Sequence, residues 1–380
     1  MLEGLDDVAW GTLHHAYGPA TDVPQLLRAI ASGDASARNG AWHDLYGNLW
    51  HQGTVYEATA HAVPFLIELS QIPQVSDRHL VLAYLGSLAT GNSYCDVHQH
   101  MSLFAEERSK PDFKERLNQE LARVRAAREA VRAGTDRYAL LLADSEPRVR
   151  AGSAYLIGHF HEDAERNIGL IRRHLDAEEK QDMVRAACVL SVGLLATAHQ
   201  DTAVWLEQVL ATDGSDAVRI AAALGLAWSR RDAIPAAARA LLAQAATVPG
   251  AAKTTFAQFP WDATDIQTYC SEALAVAAID PTQSLPALIK AMDDVPPYQS
   301  WDIARSMLHL VFGGKPMPPG ATADALTKDQ HMALDAIARS KAFWTGFGKN
   351  RYMANTMQLL QSFGLPDTPE TFRAFTDPKR

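Results

Sequence analysis

The densest group of chemically able side chains lies near the N-terminus: His43, Asp44, His51, Gln52, Tyr56, Glu57 and His61, interleaved with Trp42, Tyr46 and Trp50. On a helix, Glu57 and His61 are four residues apart and share a face. Three or four imidazole and carboxylate groups at close range would suit a metal ion. A carboxylate among aromatic surfaces in a basic groove would suit excision of a flipped base. The plainer readings are hydrogen bonding inside the HQGTVYEA turn and, next, a partner-binding surface; Trp42 and Trp50 read first as packing residues, and as binding anchors if exposed. The expected role of this group is binding, with no catalytic residue and no metal assigned.

A second group is YCDVHQH at 94–100, where Cys95, Asp96, His98 and His100 lie close together. Its ligand spacing lacks the paired pattern of a compact zinc site, so it reads as a polar loop. His14-His15 is a lone tandem. In HFHED at 159–163, His159 belongs to an apolar helix and His161 to its end, which suits packing or capping. Asp293-Asp294 reads as a solvated turn at a helix end. No phosphate-binding loop, nucleophile elbow or HExxH motif is present, and GGK at 313–315 lacks the rest of a phosphate loop.

Between Arg108 and Arg150 there are 11 Lys or Arg and 7 Asp or Glu, a local excess of 11 − 7 = +4. Arg125, Arg128 and Arg132 fall on one face of a charged helix over 112–132. Such a face could follow a phosphate backbone, hold an acidic protein, or form neutralised pairs along the helix. The formal charge of the whole chain is −9, which disfavours nucleic acid and favours a neutral or basic protein partner.

These groups need elements to position them, and the elements repeat. DSEPRVRAGSAYLIGHF, DMVRAACVLSVGLLA and SDAVRIAAALGLAW each run from an acidic residue through Val-Arg into a small, apolar helix. The Val-Arg steps begin at Val149, Val184 and Val218, spaced by 35 and 34 residues, a two-helix repeat period. DRYALLLA, AERNIGLIRRHL and DTAVWLEQVLA fit the partner helices. A lone helix pair cannot bury its apolar face, but stacked neighbours can. Arg150, Arg185 and Arg219 occupy equivalent places and are expected to play a structural part, bonding to acidic or carbonyl groups of the adjacent repeat.

Weaker copies appear on either side. DASARNGAWHDLYGNL, VYEATAHAVPFLIELS and SDRHLVLAYLGSLATG read as N-terminal helices, with Pro64 expected to start or kink one. The interval 95–113 reads as a loop or insertion. C-terminal helices are expected from Trp261, Ser284, Trp301, Leu326 and Asn350, with loops at 247–261 and 315–323. The expected fold is an all-α, HEAT-like or armadillo-like α-solenoid superhelix. It is expected as one continuous array over 1–380, with irregular repeats at 21–107, regular repeats at 112–245, and C-terminal repeats and a cap at 261–380.

The chain has 380 residues, 47% hydrophobic and 21% charged, ample for a sizeable core. Cys95, Cys188 and Cys270 are isolated and form no CxxC pair, which suggests neither a disulfide scaffold nor a sulfur-rich zinc site. No run suggests a membrane span, and the acidic pair in MLEGLDDVAW does not suit an export signal. The expected location is the cytoplasm.

DSEPRVRAGSAYLIG, DMVRAACVLSVGLL and SDAVRIAAALGLA resemble the repeats of HEAT-repeat proteins, including the PBS-lyase HEAT-like repeats. The layout is similar to a group of bacterial HEAT-repeat proteins, through LWHQGTVYEATAHAVPFLIEL at 49–69, LTKDQHMALDAIARSKAFW from Leu326 and a later helix ending in GLP. The resemblance implies a solenoid. It leaves several activities open: protein scaffolding, toxin neutralisation by immunity proteins, bilin lyase chemistry, metal-dependent hydroxylation and alkyl-base DNA excision. The hydroxylases use repeated His-Glu pairs, and here only His161-Glu162 occurs. The expectation is a non-catalytic protein-binding solenoid without a cofactor, regulatory or toxin-neutralising. A DNA glycosylase or other nucleic-acid binder, and a metal-dependent enzyme, are the alternatives.

Overall fold

The computed structural model describes residues 1–98, 104–176, 179–196, 200–258, 265–277, 280–292, 295–345 and 354–377. The chain is all-α, built of many short helices with recurring helix-on-helix packing of the kind a solenoid uses. Among the described residues no helix is long and apolar enough to cross a membrane. Two compact units are present, Met1–Ala198 with Gln258–Ala263, and His199–Ala257 with Thr264–Arg380.

The N-terminal unit contains α1 (Val23–Ile30), α2 (Ala35–Asn48), α3 (Glu57–Gln71), α4 (Arg78–Ala89), α5 (Tyr94–His98), α6 (Ala105–Ser109), α7 (Phe113–Arg132), α8 (Thr135–Leu141), α9 (Pro147–Ile157), α10 (Ala164–Asp176) and α11 (Asp182–Leu195). Helix α2 starts where the Asp34 carboxylate accepts from the Ser36 amide, which satisfies one orphan donor of its first turn. Pro64, expected to start or kink a helix, lies inside α3 and is exposed. The interval expected as a loop before Phe113 contains the two short helices α5 and α6, and residues 99–103 within it lie outside the described set.

Helices α4, α9 and α11 stack on one another, while α3 packs on α4, α8 on α9 and α10 on α11. The buried Val149 and Val184 of the Val-Arg steps face this core. Small residues let the stacked helices approach closely. A methyl group at Gly158 would lie 2.8 Å from the Ser191 Cβ and 2.9 Å from its Cα, closer than a side chain tolerates.

An ionic ladder crosses the same stack. Arg38 of α2 lies 3.6 Å from Asp77, just before α4. Arg78 of α4 makes a bidentate pair at 2.7 and 3.0 Å with Asp144, in the turn before α9. Arg150 of α9 repeats this with Glu179 before α11, at 2.7 and 3.1 Å, and also donates to the Asp144 carbonyl. The Arg78 and Arg150 rungs each reach from the start of one stacked helix to the turn that opens the next, and Arg38 reaches from α2 to the turn that opens α4. Arg185 pairs with Asp182 of its own helix at 3.1 Å.

The C-terminal unit contains α12 (Gln200–Thr212), α13 (Asp216–Arg230), α14 (Ala236–Thr247), α15 (Ala252–Ala257), α16 (Ile266–Val276), α17 (Leu285–Ala291), α18 (Pro297–Phe312), α19 (Lys328–Arg339), α20 (Ala354–Ser362) and α21 (Pro369–Thr376). Asp265 and Thr327 cap α16 and α19 by accepting from their first-turn amides. Here α13, α16 and α18 stack, with α12, α14, α17 and α19 packed beside them. Val218 is buried in α13. Arg219 bonds inside its own helix pair, to Asp216 at 3.3 Å and to the Leu210 carbonyl at 3.2 Å. The Asp293-Asp294 turn lies outside the described residues.

A candidate interaction edge on the N-terminal unit

Two small hairpins shape one edge of the N-terminal unit. The first pairs β1 (His14–His15) with β2 (Gly18–Pro19), and the second pairs β3 (Trp50–His51) with β4 (Thr54–Val55). The second closes through Gln52 and Gly53, both at positive φ (51° and 90°), as a mirror-image two-residue hairpin turn requires. Thr59 ties its ends together: its hydroxyl accepts from the Tyr56 amide at 2.9 Å and donates to the Leu49 carbonyl at 2.8 Å.

The same hairpin joins two groups that are far apart in sequence. The Asn92 amide donates to the Gly53 carbonyl at 2.7 Å, and the Val55 amide donates to the Asn92 carbonyl at 3.1 Å. Gly91 permits this approach, since a Cβ there would fall 2.3 Å from a Val55 methyl. The HQGTVYEA turn and the start of YCDVHQH thus form one edge.

The first hairpin docks beside them through the end of α2. The Ala16 amide donates to the Asn48 carbonyl at 3.1 Å, and the Asn48 amide group donates to Asp22 at 2.6 Å. His15 accepts from the Tyr17 amide at Nδ1, which leaves Nε2 to donate to Asp22 at 2.9 Å. Tyr17 at the hairpin tip is 70% exposed. Its ring meets His51 edge-on, centroids 5.5 Å apart, with Oη 3.4 Å from Nδ1.

Further along, Tyr94 is 46% exposed and stacks on His98 at 4.1 Å, with Phe104 completing the aromatic group. Tyr56 sits half-buried among these residues. Burial, then the nearby Glu120 carboxylate, Tyr17 and Tyr94, push its phenol up to about 12, so it stays a neutral hydroxyl at ordinary pH. Glu57 lies 3.5 Å from His14.

Glu120 of α7 pins the edge from beneath. It accepts from the Ser93 hydroxyl and the Cys95 amide, both at 2.7 Å, and from the Cys95 thiol at 3.3 Å. Burial first, and Glu120 next, push that thiol up to about 11, which withholds the thiolate a nucleophile needs. Cys188 and Cys270 are buried thiols whose ionisation burial drives well upward. Among the described residues no three His, Cys, Asp or Glu side chains are grouped to hold a metal ion, and His100 lies outside them.

The N-terminal residues singled out from the sequence therefore divide. His51, Tyr56 and Glu57 share the edge with Tyr17, Tyr94 and His98. Trp42 is buried on Tyr84, ring centroids 5.7 Å apart, and half-buried Trp50 packs on Tyr46 at 5.8 Å. Tyr84 anchors this packing by donating to the Leu45 carbonyl at 2.6 Å. His43, Asp44 and His61 are exposed, with no side-chain hydrogen bond or ion pair among the described residues. Tyr17 and Glu120 were not legible as members. The Tyr-Gly-Pro turn is a sequence signal for Tyr17, while Glu120 looks like any other charge on α7.

Two of the three arginines singled out on the basic helix form pairs within the unit. Arg128 forks onto Glu162 at 2.8 and 2.9 Å, donates to the His159 carbonyl at 2.8 Å, and lies over the Phe160 ring. The Arg128 pairing holds the Glu162 carboxyl down at about 2. Burial, followed by the Arg128 and His161 charges, lowers His159 to about 4 and keeps it neutral. Arg132 pairs with Asp163 at 2.8 Å and Glu129 at 2.9 Å. Arg125 is exposed and unpaired among the described residues.

No protein-family model matches the chain, and no curated protein matches it either.

Proposed function

We propose that the chain is a HEAT-like α-solenoid that binds a protein without catalysis, in a regulatory or toxin-neutralising role. We propose further that the joined turns of the N-terminal unit are its contact edge. One observation carries this reading: exposed Tyr17 and Tyr94 flank His51 and Tyr56 on an edge held rigid by backbone hydrogen bonds. Tyrosines fixed in this way present large surfaces at low entropic cost and are favoured as binding anchors.

The partner that suits the edge is basic. Tyrosine faces attract arginine and lysine, Glu57 adds a carboxylate, and the whole chain carries −9. The engagement of Arg128 and Arg132 with acidic neighbours in the same unit removes much of the positive surface that nucleic acid would require.

The test compares the wild-type chain with Tyr17→Ala/Tyr94→Ala as baits, identifies the captured protein and titrates it in purified form. Loss of such anchors is expected to cost about 2 kcal/mol, roughly thirty-fold in Kd. Affinity should also fall with added salt. Equal affinity of both baits for the same partner would remove the edge from the reading. A product formed from alkylated DNA by the purified chain would overturn the non-catalytic role.

A further inference from the structure

The C-terminal unit carries a half-open groove of about 750 Å³, a volume within the range of small-ligand pockets. Ile289 and Met292 line it from the end of α17, Val295 from the turn that follows, and Ala336 and Arg339 from the last turns of α19. Lys341 and Ala342 complete its rim. The floor is apolar, and Ala336 and Ala342 leave it wide because their side chains end at one methyl.

Among the described residues the charge on the rim has one sign. Arg339 and Lys341 are exposed, and neither has an ion pair among the described residues. Other arginines of this unit are engaged: Arg230 pairs with Glu207, Arg305 with Glu272 and Asp302, and Arg239 with Gln283. No described residue of the groove is a carboxylate. Between the two cations lies Ser340. Its oxygen accepts from the Phe343 amide at 3.2 Å, which leaves the hydroxyl proton available to donate. A guanidinium, an ammonium and a hydroxyl thus stand beside a short apolar trough.

We propose that this groove binds the carboxyl-terminal end of an apolar peptide chain. Arg339 would take the terminal carboxylate in a two-pronged pair, with Lys341 as a second charge. The trough would receive the apolar side chains that precede it. Capture of a chain end by fixed donors is a recurring mode of peptide recognition. The half-open shape suits a peptide that continues into solvent, whereas a lipid tail needs enclosure on all sides. This site is separate from the N-terminal edge, and either can fail alone.

The experiment uses the full chain and a fluorescein-labelled pentapeptide of leucine and valine with a free carboxyl end, read by fluorescence polarisation. Saturable binding is expected, with the carboxamide form of the same peptide weaker by about tenfold, the worth of a charge-assisted contact. Arg339→Ala and Lys341→Ala should each weaken binding several-fold. Both residues are exposed, so these variants are expected to fold, which circular dichroism checks. Ala336→Trp should block the trough. Asp293 and Asp294, adjacent to Met292 and Val295 in sequence, are tested by Asp293→Asn/Asp294→Asn, which should leave binding equal or tighter. The proposal is overturned if the acid and amide peptides bind alike, if both cation variants bind as the wild type does, or if Asp293→Asn/Asp294→Asn abolishes binding. It is also overturned if laurate binds the groove more tightly than the peptide.

Discussion

The two units solve the same packing problem with different devices. In the N-terminal unit, the stacked helices are tied by buried arginine–carboxylate rungs, Arg78–Asp144 and Arg150–Glu179, and α2 is tied to the turn before α4 by the partly buried Arg38–Asp77. In the C-terminal unit, α13, α16 and α18 rely on small apolar contacts such as Ala221, Ala222, Cys270 and Ala273, and the ion pairs lie nearer to solvent. The difference separates register from adhesion. Apolar faces adhere at several neighbouring offsets, whereas a two-pronged ion pair fits only one. A buried pair adds little net stability, yet removing one partner is costly because the other charge is stranded.

The sharpest way to break the comparison is Asp144→Ala. Arg78 and Asp144 keep only 7% and 13% of their side-chain surface exposed, so the variant strands a guanidinium. A loss of about 3–5 kcal/mol is expected in urea unfolding. A loss under 1 kcal/mol would make the ladder an ornament of the packing (roughly the value of a surface pair). Next in size is Gly158→Ala, which should cost about 1–3 kcal/mol by forcing α9 away from the Ser191 backbone, and Tm should fall accordingly.

Acid should pull the two units in opposite directions. Glu162 is held down at about 2 by Arg128, from an ordinary 4.5, so its contribution is present above 4.5 and lost as pH falls towards about 2. Asp144 and Glu179 act in the same direction: burial opposes their charge, but Arg78 and Arg150 outweigh it and lower both. In the C-terminal unit, Asp302 is pushed up to about 6, first by burial and then by Glu272 and Asp265, against the pull of Arg305. Its folded carboxyl takes a proton before the unfolded one does. Its contribution therefore grows as pH falls from about 6 and is complete below the ordinary 3.8. Hydrogen exchange followed by mass spectrometry should show α16 and α18 keeping or gaining protection as pH falls from about 6 to 3.8, and α9 to α11 losing it below about 4.5. The reverse order would contradict the assignment. The smallest effect belongs to Arg219→Ala, expected to cost less than about 1 kcal/mol in thermal unfolding because its pair with Asp216 is exposed and local.

The helix pairs were legible because their signal is periodic. Val149, Val184 and Val218 recur at one place in the repeat, and each is buried near the start of its helix. Arg150 stands at the matching place in its repeat and pairs with Glu179, in the turn before α11. Arg185 and Arg219, at equivalent places, bond to nearby acids of their own helices as well, which periodicity does not foretell. The edge was legible only in pieces. The HQGTVYEA turn and YCDVHQH stood out as two groups, but two-residue strands carry no alternation from which pairing could be read. Trp42 reads first as a packing residue, but what it packs on, Tyr84, lies on a different helix and has no signal in the local sequence.

The backbone bridge from Thr54 to Asn92 closes a circuit of chain around α3 and α4. Loop closure depends only weakly on length, about 0.6 kcal/mol for each doubling. Residues added at the exposed Pro73–Gln74 step of the turn between these helices would therefore enlarge the circuit at small cost, clear of buried Val75 and of Asp77. One residue added between Gly91 and Asn92 would instead displace the seam itself. The molecule thus offers an insertion point for a tag or reporter on the far side of α3 and α4, while the seam tolerates none.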